Sequence, residues 1–510
     1  MGYTSILITV LVGYLVLNLA IGIYYGKKQS QIDMKQGKSF VSDYFIGGRS
    51  MGGLVLAMTL VATFTSASSF IGGPGVAFSR GLVWVYLSMI QVPTAFIILA
   101  VLGKRFAIIA RKTGAVTVTD YLNYRYQSKA VVILSTVCLV LFFVAQMVSQ
   151  FVGGAVLFQT ITGLPYIYGL ACFGLVVIIY TSIGGFKAVV TTDTLQGIIM
   201  LVGSVIILVT VVKTAGGIEP LVTKLNAVNP GWDKIEGAVP TSKAFVMSFW
   251  VLVGIGVLGL PQTAVRAMGY KDTKALHKAM IYGSLTVGAL MLLMHISGVF
   301  APAILDPATV ENTDYVIPTI VLKYMNPVVA GLFIAAPLAA VMSTVSSLLI
   351  LSSAAIVKDL YLNYIAKPEV VDVCKANRRF LDKERADSEA AEERKIKIIS
   401  LISTLLLGLL VFALAIAPPD LIVWINLFAL GGLECAFFAP IVIGLFWAGG
   451  NKVGAIASSI IGVTSFLIIS NLKISVMGTT PIVPSMALSI LTYFIGSKLG
   501  QNKLKENKLR

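Results

Sequence analysis

Charge is scarce in this chain. Only 12% of its 510 residues are Asp, Glu, Lys or Arg, against 57% that are hydrophobic. That balance leaves too little charge to keep a folded surface in water. Histidine is scarcer still, at two residues. With no nucleophile elbow and no metal-ligand spacing, the equipment of a soluble enzyme is missing. The glycine-rich run at 72–75 lies inside an apolar stretch and is not a phosphate loop. Four cysteines, Cys138, Cys172, Cys374 and Cys435, lie far apart, three of them in apolar stretches. They form neither a zinc pattern nor a disulfide framework. A basic leader and a small-residue cleavage site are also lacking, so the apolar run from Ser5 to Tyr24 reads as a retained first span.

What the chain has in abundance is apolar sequence of membrane-crossing length. About 20 such residues at 1.5 Å rise cross a bilayer core of about 30 Å. Thirteen stretches qualify: 4–25, 51–78, 82–103, 130–158, 165–183, 190–212, 244–265, 278–302, 327–356, 397–416, 421–447, 453–471 and 482–498. The expected fold class is therefore an all-α integral membrane protein of about 13 transmembrane helices. Of the 39 Lys and Arg residues, 32 fall on one side of this arrangement. By the positive-inside rule that side is cytoplasmic, with the N-terminus outside and the 499–510 tail inside. The basic balance of +16 follows from topology and calls for no nucleic-acid partner; the partner is the lipid bilayer of the inner (plasma) membrane. The polar segment 358–397 reads as a solvated helix or mobile loop, and 214–243 as a connector with a short surface helix.

Two of the thirteen stretches are wrong for plain membrane helices. In the first, Thr63, Thr65, Ser66, Ser68 and Ser69 precede Gly72, Gly73, Pro74 and Gly75. Proline lacks an amide donor and glycine frees the backbone, so the helix is expected to fail there. In the second, Gly254, Gly256 and Gly259 lead into Pro261, Gln262 and Thr263. Interrupted spans, here five apart, mark the binding region of inverted-repeat secondary transporters. The alternative is that the small and hydroxylated residues only pack helices together. A third stretch, 331–361, carries Ser343 and Thr344 side by side, with the carbonyl of Ala340 one turn earlier; Ser346 and Ser347 follow one turn on. Neutral hydroxyls and carbonyls suit a dehydrated Na⁺, and they also suit helix packing.

Ionisable groups inside spans are functional candidates by default. Asp193 opens a span and either holds a cation or caps the helix. Glu434 lies deeper, where a buried carboxylate needs a partner or a proton; a structural hydrogen bond and a solute contact both remain open. His295 sits alone in an apolar span and reads as structural. Gln146 and Gln150, one turn apart, and Gln91, before Pro93, either bind a polar solute or bridge helices.

These residues fall into a familiar pattern. The runs DYFIGGRSMGGLVLAMT (43–59), TSIGGFKAVVTTDTLQG (181–197) and LAAVMSTVSS (338–347) resemble the sodium:solute symporter family in the right order. SASSFIGGPG (66–75), MSFWVLVGIGVLGLPQTAVR (247–266) and WINLFALGGLECAFFAP (424–440) are most similar to its sodium/pantothenate subgroup. The resemblance implies one transporter domain of leucine-transporter type. Its five-plus-five inverted repeats would span 51–212 and 244–447, preceded by 4–25 and followed by 453–498. It implies a sodium site on the backbone oxygens of Ala62, Thr65 and Ala340 and the hydroxyls of Ser343 and Thr344. Some members use two sodium ions, and Asp193, Ser346 and Ser347 match that second pattern. For a solute such as pantothenate, the chemistry of the side chains suggests Ser66, Ser69, Gln91, Gln146, Gln150 and Gln262 as polar contacts, with Trp250 as an apolar wall. Relatives that move proline carry an aspartate where this chain has Phe64, which argues against proline. The implied activity is sodium-coupled import, not enzymatic turnover. Pantothenate is the expected solute, against a monocarboxylate, sialic acid, sugar or amino acid. A membrane sensor would need a signalling domain that the short tail does not supply.

Overall fold

The computed structural model describes residues 3–36, 51–234, 239, 241–365, 383–418 and 420–508. The stretch 43–50 of the first family-like motif lies outside them. Among the described residues the architecture is helical: eleven helices are long and apolar enough to cross a membrane, and two bent helix pairs join them as broken spans. The principal elements are α1 (Tyr3–Gln36), α2 (Gly53–Phe64), α3 (Gly73–Arg80), α4 (Lys129–Thr162), α5 (Tyr166–Ala215), α6 (Lys243–Phe249), α7 (Pro261–Met268), α8 (Thr273–Phe300), α9 (Pro327–Ala354), α10 (Lys383–Leu414), α11 (Ile422–Phe438), α12 (Lys452–Asn471) and α13 (Ile482–Lys508). A further span, Leu82–Thr113, links α3 to α4 through several helical pieces.

Burial separates the centre of this bundle from its periphery. The span that contains α9 is 78% buried along its apolar window, whereas those of α1 and α10 are 33% buried. The central helix accordingly runs apolar or small on every face, as a helix enclosed by protein must. It packs on α5 and α1; α2 packs on α8, α11 on α4, and α12 on α13.

Both interrupted spans are broken, and the breaks decide where the site can be. α2 ends at Phe64, Thr65 is extended (φ −85°, ψ 120°), and a π-helical turn over Ser68–Gly72 leads into α3. The two halves bend by 67°. In the second span a π turn (Trp250–Ile255) and a 3-10 turn (Gly256–Gly259) reach extended Leu260 before α7 starts on Pro261, with a bend of 46°. The residue before proline resists the helical region, which accounts for the stop at Leu260. The first break, by contrast, falls upstream of the glycine–proline run. Pro74 is the second residue of α3, directly after the π turn, and helical backbone runs through it without a stop. The glycines there serve close approach instead: a Cβ on Gly75 would lie 2.2 Å from the Thr313 carbonyl oxygen, and one on Gly73 2.4 Å from His295 Nε2.

Three further expectations change in detail. The spans 165–183 and 190–212 do not end in a connector, because helical backbone continues through 184–189 as part of α5. Asp193 is thus not an N-cap. The polar 358–397 segment supplies the start of α10 from Lys383, and 214–243 holds the expected short helix at Ile218–Val228. The final helix runs on to Lys508, past the expected end at 498.

Candidate ion and solute site

The first break and α9 meet in the middle of the bundle. Ser343 Oγ lies 3.0 Å from the Ala62 carbonyl and 3.1 Å from that of Ala340. Thr344 Oγ1 lies 3.4 Å from Ala62 O, 3.2 Å from Thr65 O and 3.0 Å from Ala340 O. All five residues are completely buried. In an unbroken helix the amides of Ser66 and Ser69 would satisfy the Ala62 and Thr65 carbonyls. Here the Ser66 amide turns to Ser69 Oγ at 3.4 Å and the Ser69 amide to Ser66 O at 3.0 Å. The Ala62 and Thr65 carbonyls, freed by the break, thus share two hydroxyl protons with the Ala340 carbonyl, which also serves the backbone of α9. A hydroxyl can rotate to present a lone pair, so the cluster offers oxygen density with too few donors, which a small cation would satisfy. The Thr65 hydroxyl, also buried and without a hydrogen-bond partner, adjoins this group.

One turn along α9 the remaining serines are otherwise engaged. Ser346 Oγ donates to the Ser343 carbonyl at 3.1 Å, and Ser347 Oγ accepts from Arg266 Nη2 at 2.7 Å. Arg266, only 1% exposed, reaches in from α7. Its Nε also donates to Thr59 Oγ1 (3.1 Å), its Nη1 to the Gln262 carbonyl (3.1 Å), and its Nη2 stands 3.8 Å from Asp193 Oδ2. Thr59 donates to the same carboxylate oxygen at 2.7 Å. Two broken spans, α5 and α9 are thus tied by one ion-centred network. Counting basic residues by loop put Arg266 at the membrane surface. The PQTAVR run, a charge directly after a broken segment, was the available signal that it lies inside.

Beside the ion cluster is a cavity lined from both broken spans, α4, α8 and α11, and from the segment 84–91. Of the expected solute contacts, Ser69, Gln91, Gln146 and Gln262 line it. Ser66 and Gln150 do not. Ser66 closes the turn after the break through its carbonyl and pairs its hydroxyl with Ser68 at 2.8 Å. Gln150 Oε1 accepts the Ala67 amide at 2.8 Å, and its Nε2 donates to Ser149 Oγ, so this side chain holds the unwound backbone. Trp250 is 38% exposed on the outer surface of its turn. The aromatic wall is supplied instead by Phe64, by Phe249 and by Trp84, which stacks edge-on against Phe249 at 5.6 Å. His295 also faces the cavity, with Nδ1 held by the Met291 carbonyl at 2.7 Å. Asn426 joins it from α11. Sequence reasoning missed Trp84 and Asn426, because nothing in their local context distinguishes a cavity wall from a packed core, and it read His295 as structural although an ionisable group inside a span was the available signal. Trp84 Nε1, Gln146 Oε1, Gln262 Oε1 and Asn426 Oδ1 are buried with no hydrogen-bond partner. The cavity therefore has unused polar capacity on at least four sides. Glu434, lower on α11, is 0% exposed and does not reach it.

With this geometry in hand, likeness to known proteins is informative. The chain is 44% identical to a sodium/pantothenate symporter of Haemophilus influenzae over 92% of this chain and 93% of that protein. It is 44% identical to a sodium/pantothenate symporter of Escherichia coli over 96% of each. Identity to an osmoregulated proline transporter of Bacillus subtilis is 29%. Among solved structures, a Na⁺-coupled sialic acid symporter in a substrate-bound, outward-open state superposes with a TM-score of 0.76 at 18% identity, covering 97% of this chain and 98% of that one. That match supports the fold class as the leucine-transporter type that the family resemblance implied. The chain is a multi-pass inner-membrane protein and not an enzyme. The family model of the sodium:solute symporters matches residues 44–377 and 382–462, so the protein belongs to the sodium:solute symporter family.

Proposed function

We propose that this protein is a sodium-coupled symporter that imports pantothenate by alternating access. One observation carries the reading: oxygens of Ala62, Thr65, Ala340, Ser343 and Thr344 lie 3.0–3.4 Å apart across a broken helix, directly beside a polar cavity. Sodium is the cargo of that cluster. Bound there, it would join the first broken span to α9, and its inward gradient drives the solute. Pantothenate carries a carboxylate, two hydroxyls, an amide and a gem-dimethyl group. The amides of Gln91, Gln146, Gln262 and Asn426 and the Trp84 N–H match its polar groups, and Phe64 and Phe249 its apolar middle. The names of the two 44% identical relatives support this solute over sialic acid, sugars and proline. A second sodium at Asp193, Ser346 and Ser347 remains part of the proposal, with Arg266 as its competitor for Ser347.

The proposed repeats span 51–212 and 244–447, flanked by 4–25 and 453–498. The proposed orientation sets the N-terminus outside and the 499–510 tail in the cytoplasm, a reading supported by the distribution of basic residues. The test is uptake of labelled pantothenate into proteoliposomes with and without a sodium gradient, in competition with a panel of other solutes. Gradient-dependent uptake competed only by pantothenate analogues supports the reading. Sodium-driven uptake of another solute in preference would overturn the pantothenate assignment and leave the ion cluster standing.

A further inference from the structure

Each broken span faces one buried carboxyl group, and the two are treated differently. Asp193 lies against Thr59 on α2, six residues before extended Thr65, and the Arg266 guanidinium stands 3.8 Å away. Glu434 lies against Gly256, four residues before extended Leu260, where a Cβ on the glycine would come within 2.3 Å of Oε2. Glu434 is 0% exposed, yet neither carboxyl oxygen has a hydrogen-bond partner and no ion pair reaches it among the described residues. The elements packed on α11 bring no charge to its depth. Lys129 and Lys452 sit at the first residues of α4 and α12, and the charged residues of α13 begin at Lys498. The turns at 68–72, 250–255 and 256–259 hold no titratable side chain. Asp314 meets α11 at the Ile422 amide, twelve residues before Glu434. Cys138, Cys435 and Tyr493 are the other titratable groups, and none is basic.

An unpaired carboxylate in such surroundings is far too costly to persist. Either a metal cation or a proton must accompany it. A sodium ion needs several converging oxygens, as at Ser343 and Thr344, and here no hydroxyl bonds to the group. A proton needs only one oxygen. We propose that Glu434 is a proton-binding site covered by the break in the second broken span, and that the proton exchanges with water only when that break moves during transport. Gly256 is what allows the cover to be this close. Leu430 and Asn426, one and two turns above Glu434 on the same helix face, line the solute cavity, so rearrangement around the solute is felt at the carboxyl through a single rigid helix.

Infrared spectroscopy of the full-length protein in lipid reads the proton directly and independently of the solute assignment. At neutral pH the wild type should show the carbonyl stretch of a protonated carboxylic acid, and E434Q should lose that band. If E434Q does not fold, E434D should shift it. In D₂O the deuterium shift of the band should be slow at rest and at least about tenfold faster when sodium and a transported solute are both present, as expected for exchange limited by opening. Absence of the band, its survival in E434Q, its removal by sodium alone, or exchange at one rate with and without turnover would overturn the proposal.

Discussion

Gln150 Oε1 receives the backbone N–H of Ala67 at 2.8 Å across the first helix break. Unwinding a membrane helix frees amide donors that no water can satisfy, and this side chain satisfies one of them. Gly153, one turn on, makes the approach possible: a Cβ there would lie 2.5 Å from that of Ala67. Gln150→Leu should therefore destabilise the protein by about 1–3 kcal/mol, the cost of a buried unsatisfied amide. Gln150→Glu keeps an acceptor but buries an ionisable carboxyl, so it should recover the loss only at a pH acidic enough to keep that group protonated. Thermal unfolding followed in detergent, with sodium present, measures both.

The ion cluster predicts a graded response. Thr344 contributes a hydroxyl near three carbonyls, Ser343 one near two. Thr344→Ala should raise the sodium concentration for half-maximal uptake by about tenfold, equivalent to about 1.4 kcal/mol, with Ser343→Ala somewhat less severe. Folding should survive, because neither change strands a buried charge. Unchanged sodium dependence in proteoliposomes would count against this assignment.

The Arg266–Asp193 pair should behave as a unit. Removing one partner alone leaves the other buried and uncompensated, and such losses run to about 3–5 kcal/mol. Arg266→Met and Asp193→Asn should each lower thermal stability sharply, and the double variant should be less damaged than their sum. A strictly additive double-mutant cycle would show that the 3.8 Å separation carries no coupling.

Asp314 predicts a pH dependence in the loop against α3. Its Oδ2 accepts the amide of Ile422 at the start of α11 at 3.1 Å. Burial pushes its carboxyl from 3.8 up to about 6; the Ile422 bond opposes the shift and the charge of Asp420 adds to it. The docked loop thus holds the proton more tightly than the undocked one. Docking is strongest below the ordinary carboxylate value and weakens as pH rises through the interval from about 4 to about 6. Hydrogen exchange of residues 306–325 should be slower at about pH 5 than at about pH 7, after correction for intrinsic rates. Asp314→Asn should remove that difference.

The two tryptophans separate the cavity from its surface. Trp84→Ala should raise the KM for the solute several-fold or more, since it removes both an aromatic face and an unpaired N–H from the cavity wall. Trp250→Ala should change it little, because that ring faces outward. Concentration-dependent uptake by both variants at saturating sodium decides the matter.

What the sequence determined by itself was local or compositional. Apolar runs of about 20 residues can satisfy their backbone in a bilayer only as helices, so the spans were legible from length and hydropathy. The second break was legible too, since Gly256, Gly259 and Pro261 weaken a helix wherever it lies; the first falls at Thr65, upstream of the glycine–proline run that marked its span. The pairing of Ser343 and Thr344 with Ala62 and Thr65 could be expected from family resemblance, since the residues lie some 280 positions apart. Only the tertiary structure decided which glutamine faces the cavity and which props the backbone. Gln146 and Gln150 are one turn apart and chemically identical, and their roles diverge because the unwound Ala67 amide lies beside one of them. The same holds for Arg266, a surface cation by loop counting and a buried one by packing, and for Trp84 and Trp250. A residue's direction within a bundle depends on what the neighbouring helices leave open, and no single helix carries that information.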